Sequence, residues 1–216
     1  MAVAASIPQL AFAVLGAAPA GHTAGPTLRF SVEVSCPTGQ AVRAVLLDTQ
    51  IQIAARRRRH DAAAHERLFE LFGPPPAWGS TLRTLLWTRH TLVVPPFEGS
   101  TVAELDVPCS YDLEVVASRY LDALADGEVP LEFLFSGSVF YAGDGGALQT
   151  TRIPWEQEAA FRLPVATWRA TMEAHFRDTA YVRLPKAAFD RLVAFKSREA
   201  LAGWGDVVDR LLEDRP

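Results

Sequence analysis

Histidine and cysteine are the side chains of this 216-residue sequence that could most readily bind a metal ion or transfer a proton. His60 and His65 are separated by about 140° around a helix, so they do not share a face as the i, i+4 histidines of a zinc helix do. Cys36 and Cys109 are far apart, and neither belongs to a CxxC pair. We therefore expect no metal site, no bound cofactor and two reduced, buried thiols.

Acidic residues near the middle of the chain could form a catalytic carboxylate pair. They lie in and around residues 113–124, whose apolar side chains recur at helical spacing. They fall on the side opposite those apolar side chains: Asp112, Glu114, Asp122, Asp126 and Glu128. That arrangement is typical of a solvated helix face. Ser110 and Tyr111 have no recognisable partner base, and the sequence contains neither a GxSxG elbow nor a Walker loop. The sequence therefore predicts a protein that is not an enzyme.

Four consecutive arginines, at positions 56–59, form the densest charge in the sequence. They could bind nucleic acid, dock an acidic protein surface, or close the end of a strand beside Asp61, Glu66 and other carboxylates. The net charge of −4 argues against a general nucleic-acid binder. The strand-end interpretation is favoured, and the docking of a protein comes second.

The strand before the arginines indicates which of them can face solvent. Over residues 42–55 apolar and polar residues alternate, and one face carries Val45, Leu47, Thr49, Ile51 and Ile53. This period of two predicts a half-buried antiparallel strand. In that register Arg57 and Arg59 would enter the core, so we expect the strand to bend or end near Ala55. Arg56 and Arg58 would continue its solvent face.

Five tryptophans could in principle form a ligand-binding box. They are scattered over several predicted elements and loops, and tryptophans at the ends of elements usually seal the edge of a core. Trp78 and Trp155 lie near prolines in predicted loops and are expected to be exposed. Together with Arg56 and Arg58, they are the residues that we predict to contact a partner protein.

The pattern of elements predicts an α+β fold, with an antiparallel sheet or sandwich-like core, short inserted helices and a helical C-terminal portion. Strands are expected at 10–15, 28–36, 42–55, 82–94, 101–107, 129–141 and 156–165. Helices are expected at 62–72, 113–124 and 166–176. Asp61 is the predicted N-cap of the first helix, and Gly73 is predicted to end it.

We expect a β-rich core domain over residues 1–176 and a C-terminal segment, 177–216, packed on that core. In the segment, a short strand with Val182 and Leu184 inward should precede two amphipathic helices. No lysine or arginine precedes Arg29, so the apolar N-terminal run lacks the positive region of a secretory signal. No run approaches the ~18 apolar residues of a membrane span, and we expect a cytoplasmic location.

A resemblance to an uncharacterised family of bacterial proteins is carried by the blocks RRRRH…LFELFG, WGSTLRTL, FEGST…DVPCSYDLEVVASRYLDALADGEVPLEFLFSGSVFY, PWEQEAAFRLPVATWRATMEAHF and RLPKAAFDRLVAFKSREALAGW. That family is encoded beside the structural and accessory genes of nickel-iron hydrogenases. The sequence lacks the paired CxxC ligands of a hydrogenase large subunit and the cysteines of an iron-sulfur subunit. The resemblance therefore implies a non-enzymatic accessory protein that binds a hydrogenase subunit or a maturation factor.

The C-terminal stretch AYVRLPKAAFDRLVAFKSREALAGWGDVVDRLLE is similar to the ribbon-helix-helix unit of small bacterial repressors. In that family two chains pair their strands, and the outward strand side chains enter the major groove. Those side chains would here be Tyr181 and Arg183. This resemblance implies a homodimeric DNA-binding regulator as the alternative function. The order of strands and helix in the middle of the chain is similar to that of the secretion chaperone SecB, which implies a protein that holds a client.

Overall fold

The structure, a computed structural model, describes residues 7–110, 115–177, 179 and 182–213. The chain divides into two compact units, Met1–Ala180 and Tyr181–Pro216. The first unit contains all the described strands, and the described part of the second contains two helices. How the second unit packs remains a prediction.

Eight strands are described in the first unit, and all of their pairings are antiparallel. Their bounds are β1 Ala11–Pro19, β2 Thr27–Ser35, β3 Val42–Ile53, β4 Leu85–Val94, β5 Ser100–Pro108, β6 Glu128–Ala142, β7 Leu148–Arg152 and β8 Glu158–Pro164. One sheet has the order β1-β2-β5, and the other has the order β4-β3-β6-β7 with β8 also paired to β6. The predicted α+β class with a sandwich-like core is confirmed.

The helices of the first unit are short and lie between strands. They are α1 Ala62–Arg67, α2 Phe69–Phe72, α3 Trp78–Thr81, α4 Val116–Asp122 and α5 Val165–His175. In the second unit, α6 spans Lys186–Arg198 and α7 spans Trp204–Glu213. Three-residue 3-10 turns occur at Ala55–Arg57, Pro75–Ala77 and Asp144–Gly146.

The inner faces of the two sheets form one hydrophobic core. All five predicted inward residues of β3, from Val45 to Ile53, are buried, and this confirms the alternation expected from the sequence. Phe30 of β2 lies edge-on to Phe133 of β6 and to Phe161 of β8, so aromatic rings join the sheets at the centre.

Strand β6 has 15 residues, and two shorter strands pair side by side along one of its edges. β8 pairs with its first half, Glu128–Leu134, and β7 pairs with its second half, Ser138–Ala142. Gly137 lies at the junction with φ +134°, and its carbonyl accepts a hydrogen bond from Ile153 N at 3.1 Å. The sequence pattern did not predict β7, a five-residue strand without apolar alternation.

Three predicted elements differ from the structure. The predicted 62–72 helix is interrupted at Leu68, where ψ near 0° separates α1 from α2. The helix predicted at 113–124 is described as Val116–Asp122, and residues 113 and 114 lie outside the described residues. Residues 182–185 form no strand, so the predicted inward positions of Val182 and Leu184 are wrong: both are exposed. A strand needs a paired neighbour, and the described part of the chain supplies none there.

No helix within the described residues is long and apolar enough to cross a membrane.

Candidate functional site

The arginine run forms a corner between β3 and α1. β3 ends at Ile53 and the chain enters a 3-10 turn at Ala55–Arg57, as the cost of burying Arg57 and Arg59 predicted. Asp61 then caps α1, since its carboxylate accepts a hydrogen bond from Ala64 N at 2.6 Å. Both the bend and the N-cap were expected from the sequence, and both are confirmed.

Arg58 binds the segment that leads into β6. Its guanidinium donates hydrogen bonds to the carbonyl oxygens of Asp126 and Glu128, at 2.6 and 2.5 Å. Between them Gly127 has φ +72°, a conformation that exposes both carbonyls to one planar donor. The side chain is half-buried, so the prediction that Arg58 continues the solvent face of β3 is wrong. The strand parity does not persist through the 3-10 turn.

The other arginines make different contacts. Arg56 is exposed, and its guanidinium donates to the carbonyl oxygen of Gly79 at 2.5 Å. Arg57 forms an ion pair with Glu132 at 2.7 Å, so its charge is neutralised by β6. Arg59 is exposed. The corner is therefore held mainly by backbone carbonyls and Glu132.

Trp78 lies inside the protein beneath this corner. The expectation that it is exposed is wrong, because its ring is buried and its Nε1 donates to the carbonyl oxygen of Gly73 at 2.8 Å. Two histidines pack edge-on against the ring: His65 of α1 with a centroid distance of 4.7 Å, and His60 with one of 5.2 Å. The proline-rich segment before Trp78 folds into a 3-10 turn that directs the ring inward.

His60 also pairs with a buried tyrosine. Its Nε2 lies 2.9 Å from Tyr120 Oη, on the fully buried side chain of α4. Burial, helped by the charge of Arg58, lowers the pKa of His60 to about 4, and burial raises the pKa of Tyr120 to about 12. Both groups are therefore neutral near pH 7. This suits a structural hydrogen bond better than proton transfer at neutral pH.

We expect His60 to make stability depend on pH. Its folded-state pKa lies below the ordinary value of 6.5, so the unfolded chain takes up the proton first and stability falls as the pH drops from about 6.5 to about 4. Because the side chain is half-exposed, we expect a loss of about 1–2 kcal/mol. Chemical denaturation of the wild type and His60→Asn across this range measures it. His22→Asn, at an exposed histidine, is the control, and equal pH profiles for wild type and His60→Asn would contradict the prediction.

Trp155 is the predicted contact residue that the structure does expose. It lies in the turn between β7 and β8 with 88% of its surface accessible. A groove of about 440 Å³ lies alongside, and its lining includes Pro154 and Glu156 on either side of the tryptophan. The opposite walls come from the N-terminal segment around Ile7–Ala11 and from Pro37 and Thr38 of the β2–β3 turn.

This groove combines apolar and hydrogen-bonding surface. Ile7, Pro8, Pro37 and Pro154 supply apolar contacts, while the other lining residues include Gln9, Thr38, Arg152 and Gln157. Its members come from three distant parts of the sequence, and no motif joins them. The sequence indicated that Trp155 is exposed, but it did not indicate the groove, because the groove forms only where the edges of the two sheets meet.

A second groove, of about 640 Å³, lies between the first helices and α4. Its two arginines are engaged within the protein: Arg119 pairs with Glu70, and Arg67 Nε donates to the carbonyl oxygen of Ala123 at 2.7 Å. These contacts tie α1 and α2 to α4. We therefore assign this groove a structural role.

The described residues contain no cluster of three or more histidine, cysteine or acidic side chains that could hold a metal ion. Cys36 and Cys109 are free cysteines, and both are buried, as the sequence predicted. Burial raises the pKa of the Cys109 thiol to about 12, which keeps it protonated and weakly nucleophilic.

Solved structures with some likeness to this chain include three different kinds of protein. The CARDB domain of a Pyrococcus furiosus protein, in complex with di-metal ions, is 9% identical with a TM-score of 0.29, over 73% of this chain and 92% of that chain. A late embryogenesis abundant protein is 16% identical with a TM-score of 0.34, over 73% of each chain. β-Glucosidase 3B from Thermotoga neapolitana, in complex with α-D-glucose, is 15% identical with a TM-score of 0.27, and the match covers 72% of this chain and 17% of the enzyme.

These TM-scores are too low to carry an argument about this chain. No curated protein matches its sequence. A family match extends over residues 7–216, which includes the corner, the groove and the C-terminal helices. The chain belongs to a family of unknown function, DUF6084.

Proposed function

We propose that this protein is a non-enzymatic accessory protein that binds a partner protein through Trp155 and the adjoining groove. The observation that carries the proposal is the 88% exposure of Trp155 on the turn between β7 and β8, which both pair with β6. Tryptophan is among the residues most often responsible for binding energy at protein interfaces. A tryptophan side chain has only two rotatable side-chain torsions, so little conformational freedom is lost when a partner covers its ring.

The adjoining groove gives such a partner more than one contact. A peptide segment that covers Trp155 could also reach the apolar wall formed by Ile7 and Pro37. Side chains such as Gln157 and Thr38 could pair with its backbone. A mixed apolar and polar surface of this kind favours binding of a polypeptide.

The partner that we propose is a hydrogenase subunit or a maturation factor. This part rests on the resemblance of the sequence blocks to proteins encoded beside nickel-iron hydrogenase genes. The guanidinium groups of Arg56 and Arg58 donate hydrogen bonds to backbone carbonyls, so we propose that these arginines stabilise the corner. Direct contact between them and a partner remains a prediction.

Trp155→Ala should weaken capture of the partner at least tenfold while leaving the fold intact. The reason is that truncating an interface tryptophan typically costs about 2 kcal/mol or more, and the exposed ring contributes little to the core. The measurement is affinity capture of the tagged protein from native cells, followed by quantitative mass spectrometry of hydrogenase proteins.

Val93→Ala is a matched control, because Val93 is 67% exposed on β4, at the opposite edge of the sheet from β7 and its turn. It should capture as much partner as the wild type. Equal capture by Trp155→Ala and Val93→Ala would contradict the proposed surface. A salt-dependent gel shift by the purified wild type, without protein capture, would instead favour the DNA-binding alternative.

A further inference from the structure

The two helices of the second unit expose a large apolar surface. Val207 is buried, but six other large apolar side chains of α6 and α7 are exposed: Phe189, Val193, Trp204, Val208, Leu211 and Leu212. Two of them, Phe189 and Trp204, contact each other with ring centroids 5.4 Å apart, so the apolar surface continues from one helix to the other. Contiguous apolar surface of this kind marks an interaction site.

A groove between α6 and α7 gives this surface a definite shape. It has a volume of about 580 Å³, and its apolar base includes Leu192, Phe195 and Leu211. Arg191 and Arg198 line it as well, and the Arg198 guanidinium lies 5.4 Å from the centre of the Phe195 ring. The groove is therefore suited to an apolar helix that carries acidic residues beside its apolar stripe.

The chain itself contains such a helix. α6 has four basic residues and one acidic residue, whereas α7 has three acidic residues and one basic residue. On α7, Asp209 and Glu213 lie one turn apart, beside the exposed Val208 and Leu212. The basic α6 of one chain is therefore complementary in charge to the acidic α7 of a second copy.

We infer that α6 and α7 form a homodimer interface with a second copy of this chain. α7 of each protomer docks on the α6 groove of the other, so that the same contact occurs twice about a two-fold axis. Val208 and Leu212 enter the groove. Asp209 and Glu213 lie near Arg191 and Arg198 of the opposite protomer.

A second copy would also supply the core that so short a unit cannot form by itself. Tyr181–Pro216 is shorter than the about 40 residues below which a compact fold usually needs a disulfide, a metal or oligomerisation. It contains no cysteine or histidine, so neither a disulfide nor the usual zinc ligands can stabilise it. Four helices can enclose an apolar core that two helices cannot.

The test uses two charge-reversed versions of the full chain. One carries Arg191→Glu with Arg198→Glu, which makes α6 acidic, and the other carries Asp209→Arg with Glu213→Arg, which makes α7 basic. Asp206 is left unchanged because its carboxylate accepts a hydrogen bond from Gly203 N at 2.7 Å at the start of α7. Sedimentation velocity measures the mass of each protein, and circular dichroism confirms that each is folded.

The wild type should sediment as a dimer of the 23.6 kDa chain, and each charge-reversed protein alone should be monomeric. An equimolar mixture of the two should dimerise again, because the acidic α6 of one protein then faces the basic α7 of the other, and their two unchanged helices face each other as in the wild type. Leu212→Lys, at a position 65% exposed, should also give a monomer without changing the pairing of charges. The control carries Arg43→Glu with Arg89→Glu, two exposed arginines of the first unit, and it should remain dimeric.

A monomeric wild type at about 100 µM would overturn the inference, since dimers with dissociation constants below that value would be populated there. So would a charge-reversed protein that stays dimeric, because the dimer would then use another surface. Folded monomeric variants that fail to associate on mixing would show that the charges do not face each other as inferred.

Discussion

Gly137→Ala is expected to lower the free energy of unfolding by about 3 kcal/mol or more. With φ +134°, Gly137 has a backbone conformation that side-chain-bearing residues rarely adopt. A Cβ there would also overlap the carbonyl oxygen of Leu46 in the neighbouring strand β3. β3 is paired on both edges, so it cannot move away without breaking hydrogen bonds to β4 or β6.

The measurement is urea denaturation monitored by tryptophan fluorescence. Gly79→Ala is the matched control, because a Cβ at Gly79 meets nothing within 4 Å and its φ is not positive. That control should change stability by less than about 1 kcal/mol. If Gly137→Ala were as stable as Gly79→Ala, the claim that position 137 of β6 has no room for a side chain would be wrong.

Arg58→Ala is expected to destabilise the protein by about 2 kcal/mol, the second largest effect. The substitution removes both hydrogen bonds to the carbonyl oxygens of Asp126 and Glu128. These bonds connect the β3–α1 corner to the start of β6, so their loss should loosen the segment around Gly127. Water can reach part of this site because the arginine is half-buried, which keeps the loss below that of a fully buried charged hydrogen bond.

Arg59→Ala provides the comparison, since it removes the same side chain one position later from an exposed site. It should stay within about 0.5 kcal/mol of the wild type in the same denaturation experiment. Hydrogen exchange should also increase at the amides near residues 126–128 in Arg58→Ala alone. Equal stability of the two variants would contradict the role assigned to Arg58.

Local patterns predicted the elements that depend on neighbouring residues. The alternation from Val45 to Ile53 identified β3 and its inner face, because side chains of a strand alternate by geometry. Asp61 identified the start of α1, because an N-cap acts within three residues. The bend after Ala54 followed from the cost of burying arginine.

Features that depend on distant contacts could not be predicted in this way. The targets of Arg58 lie about 70 positions along the chain, and they became visible only once β3 and β6 were paired. Trp78 was expected to be exposed because prolines precede it, yet contacts with His60 and His65 hold its ring inside. The groove beside Trp155 likewise depends on how three separated segments meet at the edges of the two sheets.

The central claim, that the Trp155 surface binds a partner protein, is tested most directly by photocrosslinking in native cells. Trp155→p-benzoylphenylalanine keeps a large aromatic side chain and places a crosslinking group on the exposed turn beside the groove, and Val93→p-benzoylphenylalanine is the control on β4. Mass spectrometry of the crosslinked products should identify a hydrogenase subunit or maturation factor from position 155 and not from position 93. No crosslinked protein at position 155, or the same products from both positions, would contradict the account.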